Sequence, residues 1–316
     1  MVGRACGMGL VVAFGGLLLA SGTGCLFPSL DSLVCEDDCG GAGGAGGAAE
    51  NPCALRDGMR GTVGVLVTPP AGPPFCIEPT EVTVAQYYDL WRGATFPLDP
   101  DPTPSECDEP DLITGDLPNT PEWFAPTAYT TDHYDEHPDE QDRPIQSIHW
   151  CHAQAYCHWA GKHLCRAGAG AGPANISIEG WNETTQWYHA CRGAQELAYG
   201  YSDAYIAGTC NDSNNGAENN FQTSAVDQPP GCTSEWPSGV IYDMSGNVQE
   251  FEDNCDPDTG LCVMRGGAVT LENDDGPILT CAGGDYLPNG PNTDWGRMHR
   301  LDLTGMRCCY EPEEPQ

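Results

Sequence analysis

Apolar and polar positions alternate in short, distinct patterns. Thr62 to Val67 is a β-branched run that predicts a strand, and Phe75 to Glu78 predicts a second short one. From Thr83 to Trp91 the apolar residues Val84, Tyr87, Tyr88 and Trp91 recur at helical spacing. A second helix is expected from about Trp150 through Trp159. A third is expected from Trp181 to Ala194, with Thr184 as its N-cap and Trp187, Tyr188 and Cys191 on one face. Pro97 to Pro121 is dominated by Pro and Asp and predicts a long irregular excursion. After Ala194 only short apolar pieces and turn residues remain. The expected class is α+β, loop-rich, with low regular secondary structure and disulfide support.

The N-terminal pattern differs. Arg4 precedes an apolar run from Met8 to Ala20, too short for a bilayer, which needs about 20 residues. Residues 1–24 are therefore expected to be a signal peptide. Small residues before Cys25 make that Cys a candidate for bacterial lipidation, which would anchor the protein to a membrane; ordinary secretion is the alternative. Residues 25–60 form the expected tether, with only Gly and Ala from Gly40 to Ala49. Cys35 and Cys39 flank an acidic triplet. A metal knuckle with Cys53 is one reading, and a small disulfide clip is the favoured one.

Composition narrows the function. The chain carries 12 basic and 46 acidic residues, a formal net charge of −34, which excludes nucleic-acid binding. Lys162 is the one lysine, so phosphate-cradling or Schiff-base chemistry would have to use it. With 18 Cys, an oxidising compartment is expected. Location at the bacterial cell envelope or outside the cell, and a monomeric state, follow as expectations. His149, His152, His158 and His163 crowd one segment, but on one helix His152, His158 and His163 share no face, so solvated or capping roles are expected.

Six blocks in order resemble the formylglycine-generating enzyme (sulfatase-modifying factor) family. They are Cys76 to Tyr87, Pro144 to Leu164, Gln186 to Gly193, Tyr242 to Phe251, Arg265 to Gly267 and Gly305 to Cys308. The resemblance spans about Thr62 to Tyr310, so one domain over residues 61–311 is expected, with a fold distantly related to C-type lectins. It implies a Ca²⁺ loop formed by the carbonyls of Ser245, Gly246 and Val248 and the carboxylate of Glu250. Ca²⁺ takes six to eight hard oxygens, which a Gly-containing loop can turn inward. A structural turn, with Glu250 bonded to loop amides, is the alternative. A second Ca²⁺ site is implied at Asn211 and Asp212, with either Glu218 or Asn219 supplying a side chain; ordinary turn chemistry competes there.

The resemblance also implies bridges Cys157–Cys308 and Cys191–Cys281. Proximity in sequence adds Cys255–Cys262 and Cys210–Cys232. Catalytic relatives place two redox cysteines four and nine residues after the second Gly of a Gly-Gly pair. Counting from Gly267 gives Leu271 and Gly276 here. Neither can bind Cu(I), which takes soft thiolates, so copper is not expected. Two functions stay open: a non-catalytic, Ca²⁺-stabilised module for a protein, peptide or glycan ligand, or an oxidoreductase acting on protein cysteine through a different site. Trp236, Trp295 and Tyr286 are candidates for a groove, with core packing the favoured alternative.

Overall fold

A computed structural model describes residues 51–93, 140–166, 184–213, 222–255, 262–270, 277–283 and 303–313. The chain divides into Met1–Ala48 and Ala49–Gln316, and every described residue belongs to the second unit. Cys25, Cys35, Cys39, Glu218, Asn219, Leu271, Gly276, Tyr286 and Trp295 lie outside the described residues.

Strands β1 (Val65–Val67) and β2 (Phe75–Ile77) fall within the predicted runs. Helix α1 is Val84–Gly93 and helix α2 is Trp150–Trp159. The His149 side chain caps α2, its Nδ1 accepting from the His152 amide at 3.3 Å. Strand β3 is His163–Leu164, and helix α3 is Gln186–Arg192. That helix is shorter than its periodicity suggests. Thr185, not Thr184, caps it, because Thr185 Oγ1 reaches the Tyr188 amide at 3.1 Å. Gly193, at φ +65°, ends it. The loop-like C-terminal half holds β4 (Thr233–Trp236), β5 (Gly239–Tyr242), β6 (Gln249–Cys255), β7 (Cys262–Arg265), β8 (Thr304–Met306) and β9 (Cys308–Tyr310).

One sheet has the order β1-β2-β9-β3, a hairpin pairs β4 with β5, and a third sheet has the order β7-β6-β8. Strand β9 ties the parts together. Adjacent residues of a strand point to opposite faces. Cys308 therefore enters one apolar core and Cys309 the other. Cys308 is bonded to Cys157 of α2, and Cys309 to Cys165 just after β3. Cys191–Cys281, Cys210–Cys232 and Cys255–Cys262 are also bonded. Cys53 is bonded to Cys76 and fully buried, so it is not available for a knuckle with Cys35 and Cys39. This bridge also draws residues 51–60, assigned to the tether by sequence, into the folded unit.

Candidate functional site

The loop after β5 carries the most unusual buried chemistry. Asp243 and Asn247 both sit at φ +58°, a conformation that Asn and Asp tolerate better than most residues. Gly246, at φ +82°, packs so closely on the Asn211 backbone that a Cβ would lie 2.5 Å from its carbonyl oxygen. The two loops expected to hold Ca²⁺ are thus in direct contact. Asn247 is the pin between them. Its amide N–H donates to the Asn211 carbonyl at 2.8 Å, and its Oδ1 accepts from Asn211 Nδ2 at 3.0 Å and from the Ser224 amide at 2.9 Å. Asn247 is a functional position beyond those expected from sequence, and the Gly-Asn pair in a tight loop is the signal that marks it.

Glu250, on β6, faces Arg307, which lies between β8 and β9. Arg307 Nη2 stands 2.8 Å from Glu250 Oε1, and its Nε 3.1 Å from Oε2. Trp187 Nε1 donates to Oε2 at 2.8 Å. Both carboxylate oxygens thus already accept hydrogen bonds from protein donors, one of them a guanidinium. Three carbonyls alone do not hold Ca²⁺. Moreover, the Ser245 carbonyl oxygen lies 3.2 Å from the sulfur of Cys232. The residues Ser245, Gly246, Val248 and Glu250 therefore do not fit a Ca²⁺ site. Arg307 also donates to the carbonyls of Glu78 and Tyr242, so it ties this loop to two other segments.

Two further buried pairs have the same form: Lys162 with Glu78 at 2.6 Å and Arg265 with Glu252 at 3.1 Å. Glu81 and Asp243 are buried differently. Glu81 Oε1 and Asp243 Oδ1 are buried without a hydrogen bond. Burial pushes Glu81 well above the usual carboxylate range, the Asp243 charge adds to this, and Arg307 opposes it. Asp243 is pushed up to about 7, chiefly by burial, against a 2.7 Å hydrogen bond from the Asp227 amide and the charge of Arg307. Burial thus makes Glu81 and Asp243, the two acids beside the Glu250–Arg307 pair, hold their protons to higher pH than an ordinary carboxyl.

The second expected Ca²⁺ loop behaves differently. Asn211 is buried and its Oδ1 has no partner, although Nδ2 is bonded to Gln222 and Asn247. Asp212 is buried beside it and accepts from the Tyr205 hydroxyl at 2.6 Å. An orphaned amide oxygen in a turn fits a hard-cation ligand. Among the described residues no group of three His, Cys, Asp or Glu is placed to hold a metal ion. The further side chain expected here, Glu218 or Asn219, lies outside the described residues.

Every described cysteine is disulfide-bonded, Cys151 and Cys262 included. The crowded histidines have structural surroundings: His149 stacks on His152, and His163 Nε2 is 3.7 Å from Glu311. Trp236 is buried and donates to the Ala190 carbonyl, so it is core.

Residues 67–299 match the family described as sulfatase-modifying factor enzyme 1-like domain. Two solved structures are similar. The Treponema denticola variable protein 1 shares 14% identity over 78% of this chain and 91% of its own, with a TM-score of 0.43. CarF shares 17% identity over 82% of this chain and 97% of its own, with a TM-score of 0.44. No curated protein matches.

Proposed function

The chain belongs to the sulfatase-modifying factor enzyme 1-like domain family, and from that premise we propose that it is a non-catalytic binding module of the bacterial cell envelope. One observation carries the proposal: no thiol is left for the family's redox chemistry among the described residues, all of whose cysteines are bonded. The sequence agrees, with Leu271 and Gly276 at the redox positions and no Cys between Arg265 and Cys281. A scaffold that keeps its buried ion pairs and bridges without that thiol pair is suited to present a surface rather than to oxidise a substrate.

The proposal extends to one Ca²⁺ ion, held by Asn211 Oδ1 and the Asp212 carbonyl with Glu218 or Asn219. Its role is to tie the Asn211 turn, not to react. Lipid attachment at Cys25 after removal of the apolar leader completes the picture: a tethered, strongly acidic domain whose charge keeps it soluble at a surface.

The test is incubation of the folded chain with a Cys-Xaa-Pro-Xaa-Arg peptide, Cu(I) and O₂, read by mass spectrometry. The peptide is expected to keep its mass. Conversion of its CH₂SH group to an aldehyde would overturn the reading.

A further inference from the structure

A cavity of about 200 Å³ opens beside the end of α3, against β4. Its lining side chains are Arg192, Gln195, Leu197, Tyr201, Thr233 and Glu235. We propose that this cavity binds one pyranose ring of a glycan. The inference rests on the binding-module reading and names its ligand class.

The walls are built to stay in place. A Cβ at Gly193 would lie 3.1 Å from the Glu235 carbonyl oxygen, and one at Gly200 would lie 2.7 Å from that of Cys191. Both glycines have positive φ, so the loop from 193 to 200 closes on β4 only because side chains are missing there. The Cys191–Cys281 and Cys210–Cys232 bridges fasten the elements on either side. Such a site loses little entropy when it is filled.

The chemistry of the lining selects a polyhydroxyl ligand. Arg192 is held by the Tyr188 hydroxyl at 3.0 Å and by the Glu196 carbonyl, and it makes no ion pair with Glu235 across the cavity. The lining thus offers donors (guanidinium, amide, hydroxyl) and acceptors (carboxylate, amide oxygen, phenol oxygen) side by side. A sugar hydroxyl donates and accepts, so it satisfies both kinds. An anion would face Glu235 and the net charge of −34, and a cation would face Arg192. Tyr201 belongs to an aromatic group, with Tyr199 at 5.8 Å from it and Tyr205 at 6.1 Å from Tyr199. Of these rings Tyr201 lines the cavity, and with Leu197 it supplies an apolar contact for the C–H face of a pyranose. The volume suits one ring, with the rest of a chain left in solvent.

Saturation-transfer NMR on the full folded chain tests this, with glucose, galactose, mannose and N-acetylglucosamine as probes and glycine as an amino-acid control. Transfer to the ring protons of at least one sugar is expected. Loss of a charge-assisted hydrogen bond in Glu235→Gln should weaken that sugar about tenfold, and Tyr201→Ala should do likewise. Far-UV circular dichroism checks the fold; if Tyr201→Ala does not fold, Glu235→Gln decides. No transfer to any sugar, transfer unchanged in the folded variants, or transfer to glycine alone would overturn the inference. The peptide-oxidation assay reads the other claim separately: a modified peptide with sugar binding intact overturns only the non-catalytic reading.

Discussion

The loop from Ser245 to Glu250 meets a buried arginine, whereas the turn at Asn211 presents a buried amide oxygen with no hydrogen-bond partner. They touch through Asn247, and each was expected to hold the same ion. In the first, Arg307 engages both oxygens of Glu250 at 2.8 and 3.1 Å. In the second, Asn211 Oδ1 is buried and unbonded. A motif for a cation ligand specifies where oxygens converge. It does not specify whether a metal or an arginine meets them. A protein-borne cation removes dependence on the ion, but it fixes a buried charge that must never lose its partner.

Four measurements sharpen or break this contrast, in falling order of expected effect. Arg307→Met should destabilise the fold by about 3–5 kcal/mol, because it leaves Glu250 buried without its cation beside Glu81 and Asp243. Denaturant unfolding reads this, and a loss under about 1 kcal/mol would mean that Arg307 is dispensable. Second, Cys210 and Cys232 staple the Asn211 turn across 22 residues. Replacing both with Ala should cost about 3 kcal/mol and should blunt any Ca²⁺ response. A stable variant with full Ca²⁺ response would detach the staple from the turn.

Third, saturating Ca²⁺ should stabilise the protein by about 2.7 kcal/mol at a hundredfold excess over Kd. Thermal unfolding of Asn211→Ala should lose this gain, while Glu250→Gln, though weaker overall, should keep it. The reverse pattern would return the ion to the Glu250 loop. Fourth, the raised carboxyls give stability a pH dependence. Folded Asp243 titrates at about 7, above the ordinary carboxylate value, and Glu81 is shifted the same way. The folded state therefore holds more protons than the unfolded chain in that window, and stability falls as pH rises through it. Half-exposed Glu311, lowered by His163 and Arg166, acts in the opposite sense but is screened by solvent. Unfolding at about pH 5 should need more denaturant than at about pH 8, by on the order of 1 kcal/mol. A flat profile would mean that the acids are solvated.

The sequence made much of this architecture legible, and the limits have physical causes. Helix α1 was readable because its apolar positions recur at helical spacing, whereas α2 has little such periodicity and α3 was readable in kind though not in its ends. The Cys308-Cys309 pair in a strand forces its two thiols to opposite faces, yet the Cys165 partner of Cys309 lies 144 residues away. Nothing local marks that pairing. Glu250 stood out by its motif, but its partner Arg307 is 57 residues distant. Sequence spacing alone does not separate a carboxylate meeting a metal from one meeting a guanidinium. Glu81 and Asp243 were invisible for another reason. In a chain with 46 acids, only burial distinguishes these two from the rest.

Whether any described cysteine is a free thiol decides between a binding module and an oxidoreductase. Alkylation of the native chain before reduction, followed by peptide mapping, measures this directly. The prediction is that no described cysteine takes up the reagent and that Cu(I) remains with a competing chelator. Labelling at Cys255 or Cys262, with Cu(I) retained by the protein, would contradict it.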